Sequence, residues 1–249
     1  MRVEFLGTGG YHPNERRHTA CVMLPELGIL FDAGTSSFRV SSRLATRELQ
    51  VFLSHSHLDH IFGLTVFLTP MLQGELDRVR VYGTERTLTA VREHLFAEAI
   101  FPLEPDFEYV RLEDETPVSG DGTLTHMPLT HPGGSTGYRI DWAERSLAYL
   151  TDTSLADTNA DGACTRFVRN VDLLIHECYF PDEMADWARK TGHSHVTPVA
   201  ELARDANVGR LMLMHIDPQR ADDDPIGLAT ARSIFPATEI AEDLTVVEI

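Results

Sequence analysis

Short apolar runs separated by glycine and proline fill the beginning of the chain. Residues 2–6, 20–24 and 29–32 each form such a run, and turn-forming residues such as Gly7 and Gly28 interrupt the chain between them. Runs this short, bounded by glycine or proline, are typical of β-strands. The pattern therefore predicts a meander of strands at the amino-terminal end.

Farther along the chain, strand-like apolar runs alternate with helical spacing. Residues 49–53 form an apolar run that ends at Ser54, and residues 61–72 repeat their apolar positions with the period of a helix. Thr84 precedes a second helical segment as its predicted cap. Further strands are predicted at residues 78–82, 107–112, 122–129, 138–141, 146–150, 171–176 and 210–215, and further helices at residues 85–99, 181–190 and 198–206.

Length and composition favour a single domain. The chain has 249 residues, of which 43% are hydrophobic, and it contains no low-complexity linker or internal repeat. We therefore expect one α/β domain over residues 1–249, with two sheets covered by helices. The opening MRVEFLGTGG lacks the segments of a signal peptide, and no apolar run is long enough to cross a bilayer. A soluble, cytoplasmic protein without membrane partners is expected.

The cysteines agree with that compartment. Cys21, Cys164 and Cys178 are odd in number and widely spaced. They offer neither a disulfide framework nor a Cys-x-x-Cys metal knuckle. We expect them to be small buried hydrophobic side chains in a reducing cytoplasm.

Charge narrows the choice of partner. Asp and Glu number 38 against 21 Lys and Arg, which gives a formal net charge of -17. Binding to duplex DNA or to tRNA depends on lysine and arginine that neutralise phosphates. The composition therefore disfavours nucleic acid as a partner. A small-molecule substrate is expected, and the oligomeric state, including a homodimer, is open.

A histidine cluster directly follows the run that ends at Ser54. The segment His55-Ser-His57-Leu-Asp59-His60 brings three imidazoles and a carboxylate into one short loop. Three imidazoles this close would repel one another when protonated, and such clusters are most common as metal ligands. Because His55 and His57 can point the same way while Asp59 and His60 turn to an adjacent position, the motif predicts room for two cations.

Several segments in a fixed order resemble the metallo-β-lactamase superfamily, and particularly its ribonuclease Z and phosphodiesterase branch. They cover nearly the whole chain: FLGTGG (5–10), ILFDAG (29–34), LSHSHLDH (53–60), THPGGSTGYRI (130–140), YLTDT (149–153), HECYF (176–180), GHSH (192–195) and MHI (214–216). The resemblance implies a four-layer αββα sandwich and a dinuclear hydrolase. It also implies two metal ions, the first held by His55, His57 and His131, the second by Asp59, His60 and His215, with Asp152 as the bridge.

The nature of the ions follows from the ligand types. Imidazole and carboxylate suit zinc, and they also suit manganese or iron. Two divalent ions, with zinc favoured, are therefore expected. Each dispersed candidate also has an interpretation without a metal: His131 as a loop histidine, Asp152 as a helix cap and His215 as a core histidine. Their place in the ordered set of segments is what favours a ligand role.

The resemblance favours a phosphoric ester as the substrate. Glu177 and His195 correspond to a carboxylate and a histidine that act beside the metals in the phosphodiesterase branch, and we expect Glu177 to steer His195. His193 is a rival for the same role, and His195 is preferred because a hydroxyl residue and a helix follow it closely. Asp59 is expected to orient the attacking water in addition to binding metal.

One departure from ribonuclease Z concerns the segment between His131 and Asp152. Those enzymes carry an arm there that grips tRNA, whereas only 20 residues separate the two positions in this chain, with the pattern of a plain hairpin. The difference favours a small, cyclic phosphodiester as substrate. A tRNA 3′-processing endonuclease of the ribonuclease Z kind, or a lactonase, thioesterase or β-lactamase with the same metals, remains as an alternative.

Overall fold

The chain forms two compact units. The computed structural model describes residues 1–220 and 222–249. The first unit comprises Met1–Gly120 together with Glu242–Ile249, and the second comprises Asp121–Ala241. The prediction that the chain functions as one domain stays a prediction.

A mixed sheet forms the centre of the first unit. Its strands are β1 (Arg2–Gly7), β2 (Cys21–Leu24), β3 (Ile29–Phe31), β4 (Glu48–Phe52), β5 (Arg78–Gly83), β6 (Glu108–Arg111) and β14 (Thr245–Glu248). Strand β7 (Thr116–Val118) follows β6 in the chain and is not part of this sheet. The strands are arranged in the order β14-β1-β2-β3-β4-β5-β6. From β3 to β6 neighbouring strands are parallel, so their carboxyl ends lie at one edge of the sheet.

The helices of the first unit are short. They are α1 (Leu58–Ile61), α2 (Leu68–Leu72) and α3 (Glu85–Ala90). The single helix predicted at residues 61–72 is wrong, because a 3₁₀ segment, Phe62–Phe67, joins α1 to α2. Gly63 lies so close to the carbonyl oxygen of Gly34 that a Cβ would clash. Close packing at this glycine accompanies the tighter winding, which the apolar spacing alone does not reveal.

The predicted cap of the third helix is confirmed. Thr84 accepts a hydrogen bond from the backbone N–H of Thr87 at 3.2 Å. After α3 the chain continues as one π-helical stretch, Val91–Leu95, so the helix predicted at residues 85–99 is correct at its start and irregular at its end.

Apolar side chains from these helices cover one face of the sheet. Val51 and Val81 on the central strands belong to the same buried cluster as Leu64 and Phe67, and all four are fully buried. Burying a side chain of this size contributes about 1.5–3 kcal/mol to folding. This packing supports the loop that carries the histidine motif, which lies between β4 and α1.

The second unit is built in the same way. Its strands are β8 (Gly122–Leu129), β9 (Ser135–Asp141), β10 (Ser146–Leu150), β11 (Leu173–Glu177), β12 (Arg210–Met214) and β13 (Thr238–Ile240), arranged in the order β13-β12-β11-β10-β9-β8. Strands β10 to β13 are parallel, whereas β8, β9 and β10 form an antiparallel meander. The antiparallel β9 and β10 confirm the predicted hairpin between His131 and Asp152.

Helices pack on the sheet of the second unit. They are α4 (Leu155–Thr158), α5 (Ala163–Phe167), α6 (Ala185–Thr191), α7 (Val196–Asp205) and α8 (Leu228–Ile234). The longest, α7, buries Val199 and Leu202 in one cluster with Leu174 and Leu213 of the strands. Its apolar stripe is the feature that the sequence predicted at residues 198–206, and the helix begins two residues earlier than expected.

The cysteines lie in the interior, and the helices are short. All three cysteines are buried, and burial raises the pKa of the Cys21 and Cys164 thiols to about 12. Such thiols behave as small hydrophobic groups, as predicted. Across residues 1–220 and 222–249, no helix combines the length and apolar character needed to span a membrane.

Candidate functional site

The histidine motif lies at the carboxyl edge of the first sheet. It connects β4 with α1, so His55 and His57 precede the helix, while Asp59 and His60 lie within it. Strand β3 is parallel to β4 and ends one residue before Asp32. Because both strands end at the same edge, Asp32 reaches the motif although it is distant in sequence.

Asp32 holds the motif in place. One of its carboxylate oxygens accepts the backbone N–H of Ser54 at 2.7 Å, and the other accepts the Nδ1–H of His60 at 2.8 Å. Asp32 and His60 are both fully buried. This hydrogen bond fixes the tautomer of His60, so its Nε2 is the atom left to bind a metal, an arrangement common around metal-ligating histidines.

The remaining ligand candidates of the first unit gather around His60. The rings of His55 and His57 have centroids 4.3 Å apart, and those of His55 and His60 are 4.4 Å apart. An oxygen of Asp59 lies 3.2 Å from the Nε2 of His60. The structure thus brings together all four residues that the motif predicted as ligands in this unit.

A loop near the amino terminus orients Asp59. The backbone N–H of Tyr11 donates to the Asp59 carboxylate at 2.8 Å. The ends of this loop are fastened to Asp243, whose two oxygens accept the N–H groups of Thr8 at 3.0 Å and His18 at 2.9 Å. Asp243 is therefore in a position to influence Asp59 through the loop.

The ligand candidates of the second unit stand at strand ends. Asp152 follows β10 and His215 follows β12, while Glu177 is the last residue of the intervening strand β11. These strands are parallel, and β8, which precedes His131, runs in the same direction because two antiparallel pairings separate it from β10. Side chains distant in sequence therefore meet at one edge of the second sheet.

Asp152 lies between two imidazoles. One carboxylate oxygen is 3.5 Å from the Nε2 of His131, and the other is 3.2 Å from the Nε2 of His215. His131 donates its Nδ1–H to the carbonyl oxygen of Gly192 at 2.8 Å, which leaves its Nε2 as the nitrogen able to bind a metal. The two oxygens of Asp152 therefore each face one imidazole of the second unit.

His193, and not His195, is the partner of Glu177. The Nδ1 of His193 is 3.3 Å from the Glu177 carboxylate, which is fully buried and also accepts the N–H groups of Thr153 and Ser194. The pairing of Glu177 with His195 expected from the sequence is therefore wrong. The backbone N–H of Ser194 donates to Glu177. This contact places His193, and not His195, within reach of the carboxylate.

His195 has a different carboxylate partner. Its Nδ1 lies 2.6 Å from Asp182, which also accepts the hydroxyl of Thr197 at 2.6 Å. Burial of Asp182 would raise its pKa, but the hydrogen bonds from Thr197 and His195 outweigh burial and lower it. The second unit thus contains two carboxylate–imidazole pairs. Of the two histidines, His193 is the one near the ligand candidates, because one atom from each of Asp152, His193 and His215 lies within 4.8 Å of the others.

Three of these residues have left-handed backbone conformations. The φ angles are 55° at Asp32, 53° at Asp152 and 57° at His215, and each residue directly follows a strand or lies within two residues of its end. Aspartate and histidine tolerate this region better than most residues, but it is unfavourable for any side chain with a Cβ. The turn at each position directs a polar side chain across the strand ends.

The donor set in each unit fits divalent metal ions. Imidazole nitrogens and carboxylate oxygens are ligands for zinc and for other first-row metals. His60 donates one ring N–H to a carboxylate oxygen, and His131 donates one to a carbonyl oxygen. The second nitrogen of each ring is then the one suited to bind a metal. The chain therefore carries histidine and aspartate clusters suited to divalent metals.

Sequence reasoning missed three contributors to the site. Asp32 is part of the quoted ILFDAG segment and follows a strand, which is the available signal, but no role was predicted for it. His193 was considered and set aside, because its distance to Glu177 depends on the turn at Ser194. Tyr11 acts through its backbone, which no residue pattern reveals.

Comparison with known proteins identifies the family. The sequence profile described as a beta-lactamase superfamily domain matches residues 28–216. Ribonuclease Z of Methanosarcina acetivorans is 28% identical over 301 aligned residues, which cover 100% of this chain and 98% of that protein.

Solved structures agree on the fold. The metallo-beta-lactamase fold protein YhfI from Bacillus subtilis superimposes with a TM-score of 0.80 at 22% identity, covering 99% of this chain and 98% of that one. The short form of human tRNase Z gives a TM-score of 0.75 at 23% identity, covering 100% and 99%. The metallo-β-lactamase fold expected from the sequence is confirmed.

One expectation is overturned by these relatives. The net charge predicted that nucleic acid is not a partner, and this prediction is wrong, since proteins that match the whole chain are named ribonuclease Z. The net charge of -17 sums over the entire surface. It does not describe the local field where metal ions add positive charge beside a phosphate. A family profile that matches most of the chain, a shared fold and clusters of metal-ligand residues make this protein a hydrolase that belongs to the β-lactamase superfamily.

Proposed function

We propose that this chain is a metal-dependent phosphodiesterase that cleaves RNA in the manner of ribonuclease Z. The observation that carries the proposal is the full-length similarity to ribonuclease Z, in which both proteins are covered almost from end to end. A match of this kind includes the segments that carry the histidines and aspartates of both units. The proposed substrate bond is therefore a phosphodiester and not an amide, lactone or thioester.

The proposed ligands of two divalent ions are the seven residues predicted from the sequence: His55, His57, Asp59, His60, His131, Asp152 and His215. When bound, such ions polarise the phosphate and make a water more acidic. Zinc is the proposed metal, since imidazole and carboxylate ligands suit it.

The chain's own side chains supply the rest of the mechanism. Asp59, held by the N–H of Tyr11, accepts a hydrogen bond from the attacking water and orients it. His193 lies beside Asp152 and His215, and we assign it the role that the sequence gave to His195. With Nδ1 held by Glu177, its Nε2 can donate a proton to the leaving oxygen. Glu177 is a positioning residue, since its carboxylate also accepts backbone N–H groups.

A small or cyclic phosphodiester is the second candidate substrate, and a specific observation favours it. The segment between His131 and Asp152 consists of the hairpin β9–β10 and its short connections. The alignment with the Methanosarcina acetivorans relative extends over 301 residues against 249 in this chain, so that protein contains segments with no counterpart here. A shorter chain has less surface to contact a large RNA.

A parallel substrate assay tests the proposal. Zinc-loaded protein is incubated with a precursor tRNA that carries a 3′ trailer, with a cyclic nucleotide and with nitrocefin and a lactone. We expect cleavage of the RNA, and no cleavage by Asp59→Ala. Turnover of the cyclic nucleotide alone would transfer the assignment to the second candidate. Turnover of only nitrocefin or the lactone would refute phosphodiesterase activity.

A further inference from the structure

A small cavity lies in the second unit beside the Glu177–His193 pair. Its volume is about 180 Å³. His193 forms part of its wall, and the same ring lies within 4.8 Å of ligand atoms of Asp152 and His215. The cavity is therefore one side chain away from the residues proposed to surround the reacting phosphate. None of the roles assigned above uses this space.

Both apolar and polar residues line the cavity, and the polar ones include Ser154 and Ser194. Leu155, Ala156, Ala185 and Pro198 supply the apolar walls, and they come from α4, α6 and α7. Asp186, Arg189 and His195 supply polar groups. Such a lining favours a flat group with an apolar face and hydrogen-bonding atoms at its rim.

Two of these polar groups, His195 and the exposed Arg189, have carboxylate partners. His195 is anchored by Asp182 at 2.6 Å, and Arg189 is paired with Asp157 at 3.0 Å. Anchored groups lose little conformational entropy when a ligand binds, which makes them suitable for recognition. The second carboxylate–imidazole pair thus has a use that is separate from that of Glu177 and His193.

The volume of the cavity limits which part of a nucleotide it can hold. Sites for whole small molecules typically enclose about 300–1,000 Å³. This cavity is smaller, so it accommodates one ring system and not an entire nucleotide. A sugar is polar on all sides, whereas a base has an apolar face that stacks and a polar rim that accepts and donates hydrogen bonds.

We propose that this cavity binds the nucleobase adjacent to the scissile phosphate. The inference rests on the proposed function, since it assumes that the substrate is a nucleotide. His195 then contacts the base and is a specificity residue, while His193 acts on the phosphate. This division of roles explains why two histidines, each paired with a carboxylate, lie two positions apart.

Binding to metal-free protein is the first test. Calorimetry compares each of the four ribonucleoside 5′-monophosphates with ribose 5-phosphate, which carries the same phosphate and sugar and no base. We expect at least one nucleotide to bind about tenfold more tightly than ribose 5-phosphate, in keeping with the strength of base stacking. Equal affinity for all five compounds would refute the base site.

Filling the cavity is the second test. Ala156→Phe and Ala185→Leu each place a larger side chain on its wall and touch none of the proposed metal ligands. Both variants should lose the preference for nucleotide. Ala229→Phe, at an exposed alanine of α8 outside the cavity, is the matched control and should retain it. If both cavity variants are folded and keep the preference, the base binds elsewhere and the proposal is wrong.

Hydrolysis separates this inference from the proposed function. The p-nitrophenyl ester of thymidine 5′-monophosphate and methyl p-nitrophenyl phosphate have the same leaving group and differ in the nucleoside. Ala156→Phe should raise KM roughly tenfold for the nucleoside ester and leave KM for the methyl ester unchanged, because only the former carries a base. Equal effects on both esters would contradict the base site. Failure of the wild-type protein to hydrolyse either ester would refute phosphodiesterase activity, and the binding experiments would still decide the cavity.

Discussion

The two units present their ligand candidates in opposite ways. In the first unit, four candidates lie between His55 and His60, in one loop and the helix that follows it. In the second unit, His131, Asp152 and His215 are far apart in sequence and meet only because they follow strands that end at the same edge. The first group depends on local neighbours for its shape, whereas the second depends on strand pairing.

This difference determines which contacts each group of ligand candidates needs to keep its geometry. The loop of the first unit needs hydrogen bonds from outside, which Asp32 and Tyr11 provide. In the second unit the sheet fixes the backbone. The contact most sensitive to substitution is the turn around Ser194, which determines which histidine pairs with Glu177. Substitutions that remove these supporting contacts should therefore reduce metal binding in the first unit and proton transfer in the second.

The largest effect is expected for the ligand that also orients water. Asp59→Ala should reduce hydrolysis to background, because it removes a metal ligand and the acceptor for the attacking water. The measurement is turnover of a phosphodiester by metal-loaded protein, with Asp161→Ala at an exposed aspartate as control. Wild-type turnover in Asp59→Ala would show that the motif is structural.

The two histidines of the second unit should differ sharply. His193→Ala should keep its metal and lower kcat by roughly 10²- to 10⁴-fold, the usual effect of removing a positioned acid. The loss should shrink for esters with activated aryl leaving groups, which depart without a proton. His195→Ala should change kcat by less than tenfold. Larger damage from His195→Ala than from His193→Ala would reverse the assignment.

Removing the support beneath the first group should weaken metal binding. Asp32→Asn should lower zinc affinity by about 10- to 100-fold, since it replaces the carboxylate that orients His60. A chelator competition measures the affinity, and Asp77→Asn at the surface serves as control. Unchanged affinity would mean that the loop keeps its shape without Asp32.

The smallest effect should come from the loop that bears Tyr11. Asp243→Asn should lower metal affinity by a few fold, because it loosens the loop whose N–H holds Asp59. In an Asp59→Asn background the same change should have no further effect, since coupled residues are not additive. Additive losses would show that Asp243 acts on overall stability and not through Asp59.

The sequence predicted the local group better than the dispersed one. The histidine motif, the strand before it and the cap at Thr84 all follow from short-range patterns. The choice between His193 and His195 could not be made from spacing, because it depends on a backbone N–H that points at Glu177. The single helix predicted at residues 61–72 failed for a related reason, since the packing at Gly63 is a tertiary contact.

Charge was the least informative property. A net charge of -17 suggested that nucleic acid is not a partner, yet the relatives are ribonucleases. Composition averages over a surface of which the site is a small part. The positions of individual carboxylates at strand ends contain the information that the average loses.

The left-handed turns at Asp32, Asp152 and His215 place side chains of the candidate site in backbone conformations that lower the stability of the fold. Each conformation is unfavourable by about 1 kcal/mol for a residue with a Cβ, and glycine would relieve it. If the chain were evolved in the laboratory for heat resistance alone, with no demand for activity, Asp32 should be kept, because its carboxylate accepts buried N–H groups. Asp152 and His215 should instead drift toward glycine or asparagine. Retention of these two residues would then report that a population is still selected for catalysis.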